Sequence, residues 1–252
     1  MKKNDVYILN QWKRLYPYGI AAVIIIFVAT ISGNFLYSLP VLFFILYAIF
    51  FLSRNRQKVV GELERFLKYE SPDPLIEYYG KVYNLSKVQD KEIWLTYNIA
   101  LVLCYYGRFD EAMQSLNVVD WEVQKIPYIQ SLEVSIRALI EYLKPGNYRE
   151  GLRLSYVMQR LGEINANVPG MKEAQDFYET YIEIGELLSG NIKEATIEKL
   201  EEKFKRTQLY PKLLIAWCLT RVYKDMGKSE LSDEKASYIR SMAPYCKPLN
   251  VW

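Results

Sequence analysis

No histidine occurs in the chain, which removes the commonest general base and the commonest metal ligand. Three cysteines are present, Cys104, Cys218 and Cys246. They form no CxxC pair, their odd number leaves no complete disulfide framework, and without histidine they cannot build a Cys–His centre. Cys104 and Cys218 lie inside apolar helical patterns and read as buried, reduced thiols. Cys246, near the tail, is expected to be the more accessible. Carboxylates remain. Glu198, Glu201 and Glu202 fall in residues 193–206, where acids alternate with Lys and Arg at helical spacing. That is the pattern of a solvated face with i,i+4 pairs. No GxxxxGK[ST] or GxGxxG loop is present, so no phosphate cradle is indicated. The chain is not expected to be an enzyme, and no catalytic residue, cofactor or metal is assigned. An enzyme with a carboxylate site is kept only as an alternative.

The net charge is +3 over 252 residues. Lys2, Lys3, Lys13 and Arg14 against Asp5 account for the whole excess, so the rest of the chain is balanced. A nucleic-acid binder carries a basic face to neutralise phosphates. None is indicated, and no nucleic acid is expected.

What must position the remaining residues begins with residues 15–53, which contain no Asp, Glu, Lys or Arg. A straight helix over this stretch would reach roughly 58 Å at about 1.5 Å per residue, against a hydrocarbon core about 30 Å thick. Two short spans fit where one is too long. Gly33-Asn34 is the turn signal, which gives a transmembrane helical hairpin over residues 16–53 with spans of about 16–32 and 35–52. Pro40 falls in the first turns of the second span, where its missing N–H costs little. Residues 23–28 and 41–46 are apolar on every face, as lipid requires. Basic residues flank both outer ends: the leader, residues 1–15, on one side and Arg54, Arg56 and Lys58 on the other. Positive flanks stay inside. The expectation is an integral membrane protein that meets the bilayer through residues 16–52, with both termini and the domain over 55–252 cytoplasmic.

Val59, Val60, Leu63, Phe66 and Leu67 continue the second span as an amphipathic helix over 56–70. Ser71-Pro72-Asp73-Pro74 stops it, and a second helix is predicted over 75–87. A pattern then recurs: Gly107-Arg108-Phe109-Asp110-Glu111-Ala112, Gly146-Asn147-Tyr148-Arg149-Glu150-Gly151 and Gly190-Asn191-Ile192-Lys193-Glu194-Ala195. Gly227 heads a degenerate fourth copy. The Gly ends one helix in a left-handed cap, the Glu opens the next where negative charge suits the dipole, and the small residue admits close approach. Each unit is an antiparallel helix pair, and pairs of this kind stack into a solenoid.

Residues 94–116 resemble a tetratricopeptide repeat (TPR). The run Asn98-Ile99-Ala100, then Tyr105 to Ala112, carries the family's small residue in helix A, its inter-helix Gly, the following aromatic and the small residue of helix B. The repeats at Gly146 and Gly190 are looser: Lys144-Pro145 lengthens one turn, and Glu183 replaces a small residue in the other. The resemblance implies an all-α fold, a TPR-like α-solenoid of stacked helix pairs with a concave protein- or peptide-binding groove. The groove residues it implies are Trp94, Tyr97, Asn98, Leu101 and Tyr105 from the first repeat, Phe177, Thr180 and Ile184 from the middle, and Trp217, Arg221 and Lys224 from the last. Rigid aromatic rings bury area at low entropy cost. Trp94 stands where the family's carboxylate clamp needs a Lys, so a chaperone C-terminal peptide is not the expected ligand. The aromatic tail from Pro244 is expected to cover the last repeat. The functional expectation is a membrane-anchored scaffold or adaptor for a protein or peptide partner. The alternative is an assembly or regulatory subunit of a membrane complex, contacted through the hairpin.

Overall fold

Helix stop and start signals divide this chain into short rods. In the computed structural model, which describes residues 39–85, 90–124, 127–144, 146–163, 171–207 and 209–250, the rods are α1 (Leu39–Phe66), α2 (Asp73–Asn84), α3 (Lys91–Tyr105), α4 (Phe109–Leu116), α5 (Pro127–Leu143), α6 (Tyr148–Glu163), α7 (Met171–Leu188), α8 (Glu194–Arg206), α9 (Leu209–Asp225) and α10 (Ser229–Met242), closed by a 3-10 turn at Lys247–Leu249. There is no strand among the described residues, so the class is all-α as expected. The basic leader, the 16–32 span, Gly33-Asn34 and the start of the second span lie outside the described residues. Among the described residues, no helix is long and apolar enough to cross a membrane. The remainder of the expected second span forms the first part of α1, which runs without a break through residues 53–60 to Phe66.

The chain divides into two compact units, Met1–Glu62 with Gly80–Lys91, and Leu63–Tyr79 with Glu92–Trp252. In the first, α1 exposes large apolar side chains: Phe43 is 70% accessible, Leu46 54%, Tyr47 63% and Phe50 62%. Arg54, Gln57 and Lys58 are exposed further along the helix.

The second unit holds four helix pairs, α3/α4, α5/α6, α7/α8 and α9/α10, each reversing at a glycine. Gly107, Gly146, Gly190 and Gly227 have φ of 78°, 97°, 91° and 71°, a region that penalises any Cβ. The expected left-handed cap is visible as paired hydrogen bonds. Arg108 N donates to Leu103 O (2.9 Å) and Gly107 N to Cys104 O (3.0 Å). Asn191 and Gly190, and Lys228 and Gly227, repeat the arrangement at the third and fourth turns. These are Schellman caps, which satisfy the last carbonyls of the preceding helix. The degenerate fourth copy, which retains the glycine of the motif, retains the cap with it.

The motif's other positions divide. Ala112 and Gly151 are buried at their helix crossings, whereas Ala195 is exposed and Thr196 takes the inward place. Glu111 does more than face a dipole: Arg108 binds it through paired N–H groups and reaches Asp73 Oδ1 at 3.2 Å. Ser71 and then Arg108 hold the Asp73 carboxyl below its ordinary range. The helix beyond the Ser71-Pro72 stop accordingly starts at Asp73, earlier than predicted.

Successive pairs stack: α4 packs on α5, α6 on α7, and both α7 and α8 on α9. An open solenoid would show only these neighbour contacts. Here the first and last pairs also meet. Tyr105 Oη on α3 donates to the Tyr210 carbonyl on α9 (2.7 Å), and their rings lie 5.2 Å apart. Tyr79 and Tyr210 hydroxyls share a hydrogen bond of 3.2 Å. The tail packs on α9. It also reaches the first turn, since a Cβ on Gly107 would lie 3.1 Å from Pro248 Cγ. Cys246, expected to be accessible, is instead fully buried with Cys104 and Cys218. The tail that carries it is folded inward by Leu249 and by Asn250, whose amide donates to the Ala243 (2.9 Å) and Cys246 (3.0 Å) carbonyls.

Candidate functional site

The helix A positions named from the sequence separate by depth. Trp94, Tyr97, Asn98, Phe177 and Arg221 are half-buried, and Lys224 is exposed. Leu101, Tyr105, Thr180, Ile184 and Trp217 are buried. For Tyr105 the reason is the meeting of α3 and α9, where it faces Tyr210, while Trp94 and Tyr97 lie a few turns away.

The accessible part is an aromatic cluster. Trp94 stands edge-on to Tyr97 (6.3 Å) and beside Tyr128 of α5 (6.2 Å). Asn98 Nδ2 donates to the Trp94 carbonyl (2.7 Å), which ties its amide to its own helix. Phe177 of α7 packs on Tyr181 (4.8 Å) and Tyr178 (6.0 Å). Tyr178 Oη meets Ser131 Oγ at 2.7 Å. Burial pushes the Tyr97 hydroxyl well above its ordinary range, against a hydrogen bond from Ser135, and Tyr128 and Tyr178 nearby push the same way. Tyr105, Tyr181 and Tyr210 are also raised well above the ordinary value, first by burial. All therefore stay neutral phenols at physiological pH. The cluster is a surface for packing and hydrogen bonding, with no group primed for proton transfer.

A second group lies on α9. The Arg221 guanidinium sits 5.4 Å from the Trp217 ring and 5.6 Å from the Tyr148 ring of α6. Stacking of this kind holds a planar cation in place at low cost. Trp217 Nε1 is buried with no hydrogen-bond partner among the described residues.

Sequence reasoning passed over Tyr128, Tyr148, Tyr178 and Tyr181. On α5 and α6 the repeat offsets name no residue, and on α7 they name Phe177 and Thr180, each one position before Tyr178 and Tyr181. The abundance of tyrosine, 22 in all, was the available signal.

In residues 193–206, Glu198, Lys199, Glu202 and Lys205 are exposed, as a solvated face requires, and Lys203 departs from it. Lys203 is 5% accessible and pairs with Glu183 (2.8 Å) and Asp176 (3.5 Å) of α7. Lys235 of α10 is buried against Glu201 (3.0 Å) and lies 4.5 Å from the Phe204 ring. The one expected i,i+4 pair seen here is Arg206–Glu202 at 3.9 Å. Beside it, Glu194, Glu198, Glu201 and Glu202 line a cleft of about 350 Å³ with Tyr223 and Leu231. Glu201 already accepts from Tyr223 Oη (2.8 Å). No group of three metal-ligating side chains exists among the described residues.

Compared with protein-family models, curated proteins and solved structures, the chain matches none of them.

Proposed function

We propose that this protein is a membrane-anchored, TPR-like scaffold that holds a protein or peptide partner at the cytoplasmic face of a bilayer. The observation that carries the reading is the stripe of Phe43, Leu46, Tyr47 and Phe50 on α1, all more than half accessible. Large apolar side chains placed together on one helix face mark an interaction or membrane surface. The uncharged residues 15–53 extend the same chemistry beyond the described part. Four helix pairs, each reversing at a glycine of positive φ, support the repeat reading. The half-buried Trp94, Tyr97 and Phe177 cluster is the part of the implied groove that a partner can reach.

Topology offers the direct test. All three native cysteines are buried, so a single exposed thiol introduced as Ser241→Cys reports alone. A membrane-impermeant maleimide should label it only after cells are opened, and the chain should stay in the pellet under alkaline carbonate. Labelling of intact cells overturns the cytoplasmic placement, and release by carbonate overturns the anchor. For the partner, the Trp94→Ala/Tyr97→Ala variant should fail to retain what the native chain captures. Full retention counts against the aromatic cluster.

A further inference from the structure

The apolar stripe on α1 does not simply end. At 100° per residue, Phe43, Leu46, Tyr47, Phe50, Arg54, Gln57 and Lys58 fall on one face. Every one of them is exposed. The chemistry changes from rings to cations between Phe50 and Arg54, a rise of about 6 Å. Residues 39–61 contain no Asp or Glu. Glu62, one turn past Lys58, is the first carboxylate. Neither Arg54 nor Lys58 makes an ion pair among the described residues. A Cβ added at Gly61 meets nothing within 4 Å, so the face stays open for another turn. Two cations with no counter-charge among the described residues, set one and two turns beyond an exposed apolar stripe, have the spacing of a lipid leaflet, hydrocarbon first and phosphate next.

We infer that Arg54 and Lys58 form a headgroup site that selects anionic phospholipids. This rests on the bilayer reading proposed above and goes further, because an anchor alone is indifferent to headgroup charge. Arg54 supplies a planar fork that matches two phosphate oxygens, and Lys58 supplies a point charge on a flexible stem. The hydrophobic stripe sets the depth and the two cations set the preference.

The test uses the full chain in neutral-detergent micelles, titrated separately with phosphatidylglycerol and phosphatidylcholine. A parallel sample has its detergent removed in the presence of phosphatidylcholine vesicles and is then floated. Each basic residue near an anionic surface contributes about fivefold, so the pair alone contributes roughly 30-fold to the preference for phosphatidylglycerol. Arg54→Gln/Lys58→Gln should lower the preference by roughly 30-fold, leaving only what Arg56 and the leader's Lys and Arg contribute. Lys199→Gln, an exposed lysine on α8, should leave the preference unchanged. Equal affinity for both lipids, in a chain that still floats, overturns the headgroup site and leaves the anchor standing. A preference that is undiminished in the double variant also overturns it. A chain that does not float removes the bilayer reading and this inference with it.

Discussion

Tyr142 is the side chain on which three helices converge, and Gly185 is what makes room for it. Its hydroxyl meets Ser155 Oγ (2.7 Å) and donates to the Tyr181 carbonyl (2.9 Å), with the ring fully buried. A Cβ at Gly185 would stand 2.3 Å from that hydroxyl and 3.0 Å from Leu152 Cβ. Gly185→Ala must therefore displace the ring. Overpacking costs about 1–3 kcal/mol, and disturbing the hydroxyl's hydrogen bonds costs about 1 kcal/mol more. The better helix propensity of Ala offsets up to about 1 kcal/mol. The net expectation is a loss of about 1–3 kcal/mol in urea unfolding of the full chain followed by circular dichroism. Gly80→Ala on α2 is the control, since its Cβ meets nothing within 4 Å. It should be neutral or stabilising by up to about 1 kcal/mol. A double-mutant cycle isolates the cause. Tyr142→Phe alone should cost about 1 kcal/mol. If the hydroxyl is the obstacle, Gly185→Ala/Tyr142→Phe should cost less than the sum of the singles by at least about 1 kcal/mol. Additivity within about 0.5 kcal/mol would refute the reasoning.

Alkali should unfold the repeat unit. Burial raises the Tyr105, Tyr181 and Tyr210 hydroxyls well above 10 and pushes Tyr238 up to about 12. Their contribution is fully present below pH 10 and is lost as pH rises through the folded values. Phenolate absorbance should lag for the buried tyrosines and then rise together with loss of helix. Smooth titration of all 22 near pH 10 in a folded chain contradicts this. Lys203→Ala should cost about 3–5 kcal/mol, because it leaves Glu183 with little solvent and no cation. Lys203→Met/Glu183→Leu should be close to neutral. Equal losses for both variants mean that packing, and not charge pairing, decides.

The turns were legible because their cause is local. A glycine in a left-handed cap followed by a Glu-bearing first turn is written within six residues, and Gly107 and Gly190 behave as their neighbours dictate. Gly227 shows that the cap survives after the rest of the motif is gone. The depth of the groove was not legible. Whether Tyr105 lines an open surface or fills an interior depends on Tyr210, distant in sequence, and no periodicity in α3 encodes that meeting. Lys203 failed for the same reason. Its i,i+4 neighbours on α8 suggest a solvated face, while the groups that bury it, Asp176 and Glu183, lie on α7. Tyr128 lies on α5, where the repeat offsets name no residue, and Tyr181 lies one position past Thr180, which the offsets do name.

The bond from Tyr105 to Tyr210 joins residues 105 positions apart. At about 5–20 residues per second, α9 leaves the ribosome roughly 5–20 s after α3. During that interval the first pair has its Schellman cap but lacks Tyr210 and the tail against which Tyr105 and Gly107 pack. Contacts that must wait for distant sequence also slow folding. Early α3 is thus a nascent element with unsheltered aromatic rings, the kind of surface that holdase chaperones engage. The maturation of this unit is gated by the arrival of its later helices.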